Sequence, residues 1–259
     1  MPMAPPVVLT FAASDPTSGA GLQADVLTIA ALDCHPLSVV TALTAQDTIG
    51  VARMQPVDSA WITEQARCVL GDVAVAAFKA GVLGSADNTR AVSEIIAAHH
   101  SVPLVVDPVL ASGRGDALAD ENAMRALRES ILPRTTVLTP NSLEARRLAR
   151  VPDLRECARA LVEHGCRYVL ITGTHEAGAE VVNTLYDASG VVREDRWPRL
   201  PHEYHGSGCT LASAIAAYLA RGLDVVAAVR EAQQFTWRAL EAGFAVGRGQ
   251  LLPQRFIAR

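Results

Sequence analysis

The amino-acid sequence predicts an α/β fold, a mostly parallel sheet covered by helices on both faces. Three observations carry this. Short apolar runs rich in β-formers alternate along the chain with segments of helical periodicity, the pattern of a layered α/β domain. Several runs, Val7 to Ala12 and Leu104 to Val106 among them, are continuously apolar, as in strands buried on both faces. The 259 residues hold no internal repeat and no low-complexity linker, so residues 1–259 read as a single domain.

Val7 to Ala12 is the first strand, and it opens into the loop Ser14-Asp15-Pro16-Thr17-Ser18-Gly19-Ala20-Gly21. A helix follows to about Leu32, with Leu22, Val26 and Ile29 on one stripe. Leu37 to Ala42 is a second strand, leading to the polar group Thr44-Ala45-Gln46-Asp47-Thr48. Asp58 or Ser59 caps a helix to about Leu70, and Val75 to Ala80 is a strand followed by Gly81-Val82-Leu83-Gly84. Ser85 and Asn88 start a helix to about His99. Leu104 to Val106 then ends at Asp107-Pro108, ahead of the glycine-rich loop Ser112-Gly113-Arg114-Gly115-Asp116. A helix from about Asp120 to Leu132 leads to the strand Thr136 to Thr139, which ends at Pro140-Asn141. Helices over Ser142–Ala149 and Leu154–His164 precede the strand Tyr168 to Thr172. Val181 to Tyr186 and Val191 to Arg196, split by Asp187 to Gly190, form a hairpin. Two helices, about Thr210 to Ala220 and Asp224 to Phe244, close the chain before a glycine-containing tail. Polar residues cluster just after strands, where a parallel sheet gathers its ligands.

Composition narrows the function. With 27 acidic against 23 basic residues and a net charge of −4, the chain has no basic stripe for nucleic acid. Phosphate ligands stay open, because backbone amides hold them without net charge. Five cysteines, Cys34, Cys68, Cys157, Cys166 and Cys209, show no CxxC pair or zinc-ligand spacing, which fits reduced thiols in a cytoplasmic protein. The first four are expected to pack on or beside helices. Neither a secretion signal nor a membrane span is expected. Trp61, Trp197 and Trp237 are scattered, which argues against a stacking platform for nucleic-acid bases.

The stretch with most chemistry is His205-Gly206-Ser207-Gly208-Cys209-Thr210-Leu211. A flexible loop feeding a helix start leaves N–H groups unpaired at the positive end of the helix dipole, a natural anion site. Cys209 falls in that first turn, where a thiol pKa is expected to drop. Locally the stretch reads equally as an anion cradle or as an ordinary loop with a buried cysteine. Phosphoryl transfer would also need Mg2+ and oxygen ligands at strand ends, for which Asp107 and Glu144 are candidates. Asn141 and Glu144 share a face at a helix start, where a capping box is the favoured local reading; the two roles are compatible. No GxxxxGK[ST] is present, nor a kinase-type GxGxxG with HRD and DFG. His205 and Cys209 lie on different elements and need not meet, and GxSxG is absent, so thiol or serine hydrolysis is disfavoured. Asp25 sits within the first helix, where an exposed surface carboxylate is the ordinary reading.

Taken together, Thr10 to Pro16 with Gly19 to Asp25, Val40 to Thr48, Lys79 to Leu83, Val106 to Val109, Thr139 to Ala145 and His205 to Leu211 resemble one family, in order along nearly the whole chain to Gly247-Arg248-Gly249. These are the hydroxymethylpyrimidine/phosphomethylpyrimidine kinases of thiamine biosynthesis. The resemblance implies a ribokinase-like three-layer αβα sandwich. It implies ATP- and Mg2+-dependent phosphorylation of 4-amino-5-hydroxymethyl-2-methylpyrimidine, then of its monophosphate, and a homodimer, since relatives commonly form dimers. Gln46 matches the pyrimidine-binding position, where an amide offers both donor and acceptor to an aminopyrimidine edge. Asp25 matches a second pyrimidine contact, and Ala13, Val82 and Val109 fall at positions around the substrate. Cys209 matches the residue proposed to deprotonate the acceptor, with Gly206, Ser207 and Gly208 as the anion hole. Asp107 and Glu144 fall where the family handles Mg2+ and phosphate, and Asn141 and Thr172 on the nucleotide side.

The chain also departs from the pattern. Thr172 stands where many relatives carry a phosphate-facing lysine, and Arg114 is then expected to supply some of the missing positive charge. Ala13 and Ser18 replace glycines of the first loop, and Val82 replaces a frequent methionine. Two other readings are kept: a pyridoxal kinase of the same superfamily, and a non-catalytic relative that senses pyrimidine.

Overall fold

The computed structural model describes residues 4–111, 115–116 and 118–257. Within them the strands are β1 (Val7–Ser14), β2 (His35–Gln46), β3 (Val51–Pro56), β4 (Ala77–Ala80), β5 (Leu104–Val106), β6 (Val137–Leu138), β7 (Tyr168–Thr172), β8 (Glu180–Asp187) and β9 (Gly190–Pro198). They form one sheet in the order β3-β2-β1-β4-β5-β6-β7-β8-β9. β2, β1, β4, β5, β6 and β7 are mutually parallel, while β3 at one edge and β8–β9 at the other are antiparallel.

The central strands show why continuous apolar runs were needed. Leu9, Phe11, Phe78, Leu104, Val106 and Leu138 point into one core. Their sequence neighbours Val8, Ala77, Val105 and Val137 point into a second. Alternate side chains leave on opposite faces of a strand, so both faces of the sheet must be covered. Helices α2 (Ser59–Leu70), α3 (Ala86–Ala97), α4 (Glu121–Ala126), α5 (Ser142–Ala149) and α6 (Leu154–Glu163) contribute to the first core through Ile62, Val92, Met124, Leu148 and Leu161. Helices α1 (Gly21–Ala31), α7 (Ser207–Ala220) and α8 (Val225–Glu241) supply the second through Ile29, Ile215 and Val229. The result is the helix–sheet–helix sandwich the sequence predicts.

Capping separates these helices into two kinds. Asp58, Ser85, Asp120, Asn141, Asp153 and Asp224 each accept backbone N–H bonds at the start of α2, α3, α4, α5, α6 and α8. Among the described residues, α1 and α7 alone of the α-helices begin without a side-chain cap. Both start at the carboxyl edge of the sheet.

Several boundaries differ from expectation. β2 continues to Gln46, so the polar group after Ala42 is strand, and β3 pairs with it as a hairpin that the sequence reading omits. The Asp47 carboxylate closes the turn by accepting from the Ile49 and Gly50 N–H groups at 2.8 and 3.1 Å. The helix expected from Asp120 to Leu132 is α only to Ala126, then a π turn to Ile131 and a 3-10 turn through Pro133. α7 begins at Ser207 rather than Thr210, which puts Ser207, Gly208 and Cys209 inside its first turn. α8 ends at Glu241, and the following tail returns to the sheet edge. No helix among the described residues is long and apolar enough to cross a membrane.

Candidate active site

The chain reverses direction across the sheet at β1, whose neighbours are β2 and β4. Such a switch point opens a crevice outside the strand carboxyl ends. A cavity of about 810 Å3 fills it, lined in strand order by Ala13, Gln46, Val82, Asp107, Asn141 and Thr172 with the start of α7. Ala13 and Gln46 both sit at register irregularities, between Ala12 and Ala13 in β1 and between Ala45 and Gln46 in β2. Irregular pairing of this kind re-aims side chains at a sheet end.

α7 packs on β1, β4 and β5, so its first turn lies over the middle of the sheet. The earliest intrahelical bond there runs from Thr210 N–H to Gly206 O at 3.0 Å, leaving the N–H groups of Ser207, Gly208 and Cys209 ahead of it. Gly206 adopts φ +83°, and a Cβ on it would lie 1.9 Å from Gly19 O. Only glycine fits. Asp15, in the loop before α1, accepts from Ala20 N–H at 2.7 Å and pairs with His205 Nε2 at 2.8 Å, tying the two loops together. Burial opposes charge on Asp15, but His205 and the backbone N–H donors outweigh it and hold the carboxyl below its ordinary range.

Beneath the turn lies a buried ionic cluster. Lys79 Nζ is 2.9 Å from Asp25 Oδ2, and neither side chain is exposed. Asp25 also accepts from Thr10 Oγ1 at 2.6 Å and Ser213 Oγ at 2.8 Å. Burial favours loss of the Lys79 proton, yet Asp25 and its neighbours reverse this and push the ammonium pKa up. Gly81 leaves room for that head group, since a Cβ there would sit 2.6 Å from Nζ. The expected role of Asp25 therefore changes: it does not line the cavity but sits behind Lys79, which does. Nor is it a surface carboxylate, because α7 covers its helix.

Cys209 lines the cavity at 8% exposure. Its thiol is pushed up to about 12, by burial first and then by Asp107 and Asp25, against Lys79 and the Gly21 N–H. The depressed pKa expected from the helix start is overturned, because desolvation exceeds the dipole's pull. Asp107 is raised to about 6 by burial, with Lys79 opposing and Asp25 adding to the rise. Its Oδ2 has no hydrogen-bond partner among the described residues. Glu144 completes the capping box, accepting from Asn141 N–H at 2.9 Å and Leu110 N–H at 3.3 Å. Burial and the nearby Asp107 charge raise it to about 8.

Gly206, Ser207, Gly208, Val109, Asn141 and Thr172 all line the same cavity, whereas Arg114 lies outside the described residues. Trp197 and Trp237, scattered in sequence, meet across β9 and α8 with ring centroids 6.3 Å apart and also line the cavity, while Trp61 stays on the surface. Cys68 is exposed, contrary to its expected packing, and the other four cysteines are buried; all five are free thiols. Lys79 was legible as the one charge in the apolar strand Ala77–Ala80, and sequence reasoning passed over it. Arg147, exposed on α5 and lining the cavity, was likewise missed; no ion-pair partner approaches it among the described residues.

Comparison with known proteins joins these features. The phosphomethylpyrimidine kinase family profile matches residues 15–254. A hydroxymethylpyrimidine/phosphomethylpyrimidine kinase of Streptomyces coelicolor is 43% identical over 96% of this chain and 93% of its own. A pyridoxal kinase of Staphylococcus aureus, solved with AMP-PCP and pyridoxal, superposes with TM-score 0.89 at 27% identity, covering 98% of this chain and 94% of that one. A phosphomethylpyrimidine kinase of Clostridium difficile gives 0.78 at 31% identity, covering 89% and 97%.

Proposed function

The chain belongs to the phosphomethylpyrimidine kinase family, and on that premise we propose that it carries out two successive phosphoryl transfers from ATP. The first acceptor is 4-amino-5-hydroxymethyl-2-methylpyrimidine and the second its monophosphate, giving the diphosphate used for thiamine diphosphate. The observation that carries the reading is the uncapped start of α7, set over β1, β4 and β5 between two differently furnished halves of one cavity.

On the β1–β2–β4 side, Gln46 offers an amide donor and acceptor to the aminopyrimidine edge, with Ala13, Val82 and Val109 as apolar walls. On the β6–β9 side, Asn141 and Thr172 face the nucleotide phosphates, and the Trp197–Trp237 pair supplies aromatic surface. The amides of Ser207, Gly208 and Cys209 receive the transferred phosphoryl without prior reorganisation.

Mg2+ fits the acidic residues present. The orphaned, buried Asp107 Oδ2 lines the cavity beside Glu144, and one or two carboxylates suffice for an ion that arrives on substrate phosphates. No cluster of three metal-ligating side chains exists among the described residues, which agrees with such shared binding. Bound at Asp107 and Glu144, the cation would supply charge neutralisation at the phosphates. Cys209 is placed to take the proton leaving the hydroxymethyl group as a thiolate, the form that Lys79 and the Gly21 N–H favour against burial.

A second reading, pyridoxal phosphorylation, is favoured by the pyridoxal-bound neighbour at TM-score 0.89. ADP release by purified protein with Mg-ATP and, in turn, hydroxymethylpyrimidine, its monophosphate and pyridoxal tests both. Turnover with both pyrimidines is expected. Turnover with pyridoxal alone would replace the main reading, and silence with all three would favour a sensor. The reading also takes the protein as a cytoplasmic homodimer, in keeping with its five free thiols, and light scattering of the purified chain checks the dimer.

A further inference from the structure

Arg255 is a buried charge that the reaction described above does not use. It lies beyond every helix in the C-terminal tail and is only 4% exposed. Its guanidinium donates from Nη2 to Gly19 O at 2.5 Å, from Nη1 to Ser18 O at 3.3 Å and from Nε to Thr210 Oγ1 at 3.2 Å. No carboxylate forms an ion pair with it among the described residues. A buried cation costs free energy unless its donors are satisfied, so these three acceptors hold it, helped by the nearby charges of Asp25 and Asp15.

The acceptors converge on the phosphate-receiving turn. Gly19 O is the atom against which Gly206 is packed, with no room for a Cβ between them. Thr210 is bound to Gly206 O twice, through its N–H at 3.0 Å and its hydroxyl at 2.8 Å. Ser18 holds φ +61°, a left-handed conformation that is strained for a non-glycine residue and persists only where neighbours enforce it. The tail itself is anchored by Gln250 N–H to Thr48 O at 2.9 Å and by Leu251 N–H to Glu203 O at 3.0 Å.

We propose that Arg255 is a positioning residue for phosphoryl transfer, locking the Ser18–Gly19 turn onto the first turn of α7 and so fixing the amides of Ser207 to Cys209. It does not line the cavity. The planar fork is the requirement, because it serves three acceptors at once, whereas a lysine is a single point of charge. This rests on the kinase reading, so the test carries one readout that turnover does not enter.

The full chain is compared with Arg255→Lys and Arg255→Ala. Misplacing a reacting group by about 1 Å costs on the order of 100-fold, so kcat of Arg255→Lys should fall about 10- to 100-fold. The KM for the pyrimidine should hold, since Gln46 and Val82 lie on other elements. Millimolar guanidinium should return part of the kcat of Arg255→Ala. Independently of turnover, amide exchange in segments 15–21 and 206–212 should rise about tenfold in Arg255→Lys, with β1 and β4 unchanged. Unchanged exchange in those two segments would overturn the proposal whatever the activity. So would wild-type kcat in Arg255→Lys, or a rise in exchange spread over the whole sheet. A wild-type protein that releases no ADP would instead sink the kinase reading, and the exchange comparison would still decide the role of Arg255.

Discussion

Asp107 and Glu144 line one cavity wall where burial, and for Glu144 the Asp107 charge, opposes ionisation, and this sets the pH behaviour of the ligand-free protein. Glu144 rises from 4.5 to about 8 and Asp107 from 3.8 to about 6. In the unfolded chain both carboxyls ionise near pH 4, while the folded protein keeps their protons longer. Between those limits the unfolded state binds fewer protons, so stability is full at low pH and lost as pH rises towards 8. Glu144→Gln keeps a capping residue and removes the titration. Its thermal midpoint should fall less than the wild type's between pH 5 and 8, and parallel curves would refute the shift. A second residue-scale prediction concerns the buried pair below. Lys79→Met should cost about 3–5 kcal/mol in urea unfolding by stranding Asp25, and Lys79→Met with Asp25→Leu should recover most of it. A double variant no better than the single would show that the pair is not the source of the loss. Asp107 was legible as an acid directly after an apolar run, Glu144 as an acid three residues past Asn141 at a helix start, and Gln46 only through the family resemblance. Asp25 was misread because nothing in its own helix shows that α7 and Ser213 cover it. Arg255 had no signal at all, since its three acceptors lie some 45 to 237 positions away.

Helix starts divide the labour between stability and chemistry. Among the described residues, six α-helices use a side chain to cap their first N–H groups, while α1 and α7 leave theirs for a ligand or for Cys209. Gly206→Ala should therefore disable the site more than the fold. A left-handed φ and the 1.9 Å approach to Gly19 O leave the new methyl nowhere to go. We expect kcat to fall at least about 100-fold, the size seen when one donor to developing charge is lost, with a measurable drop in thermal midpoint. Near-wild-type turnover would show that these amides do not receive the phosphoryl group. The start of α7 was visible in sequence as glycines ahead of an alanine-rich run. β3 was not, because Val51-Ala52-Arg53-Met54-Gln55-Pro56 is an exposed edge strand with weak alternation and a terminal proline, and its pairing comes from the Asp47 turn. The π turn after Ala126 likewise has no local mark, being set by packing of α3 against that segment.

At the scale of the molecule, the continuous apolar strands, with alternate residues feeding two cores, made the sandwich the most legible feature of the chain. Strand order was not legible from periodicity, yet it decides function. By turning back at β1 the chain sets the Gln46 side and the Thr172 side on opposite flanks of one helix start. That arrangement predicts two phosphorylations at one cradle with unequal demands. A hydroxymethyl group must lose a proton during transfer, whereas a phosphate monoester has largely lost its own at neutral pH. The most direct measurement is a phosphorus NMR time course with Mg-ATP and hydroxymethylpyrimidine, run on the wild type and on Cys209→Ala. The wild type should make the monophosphate and then the diphosphate, and the variant should slow the first step by about 100- to 10,000-fold and the second far less. No phosphorylated pyrimidine from the wild type, or equal losses on both steps in the variant, would contradict this account of the site.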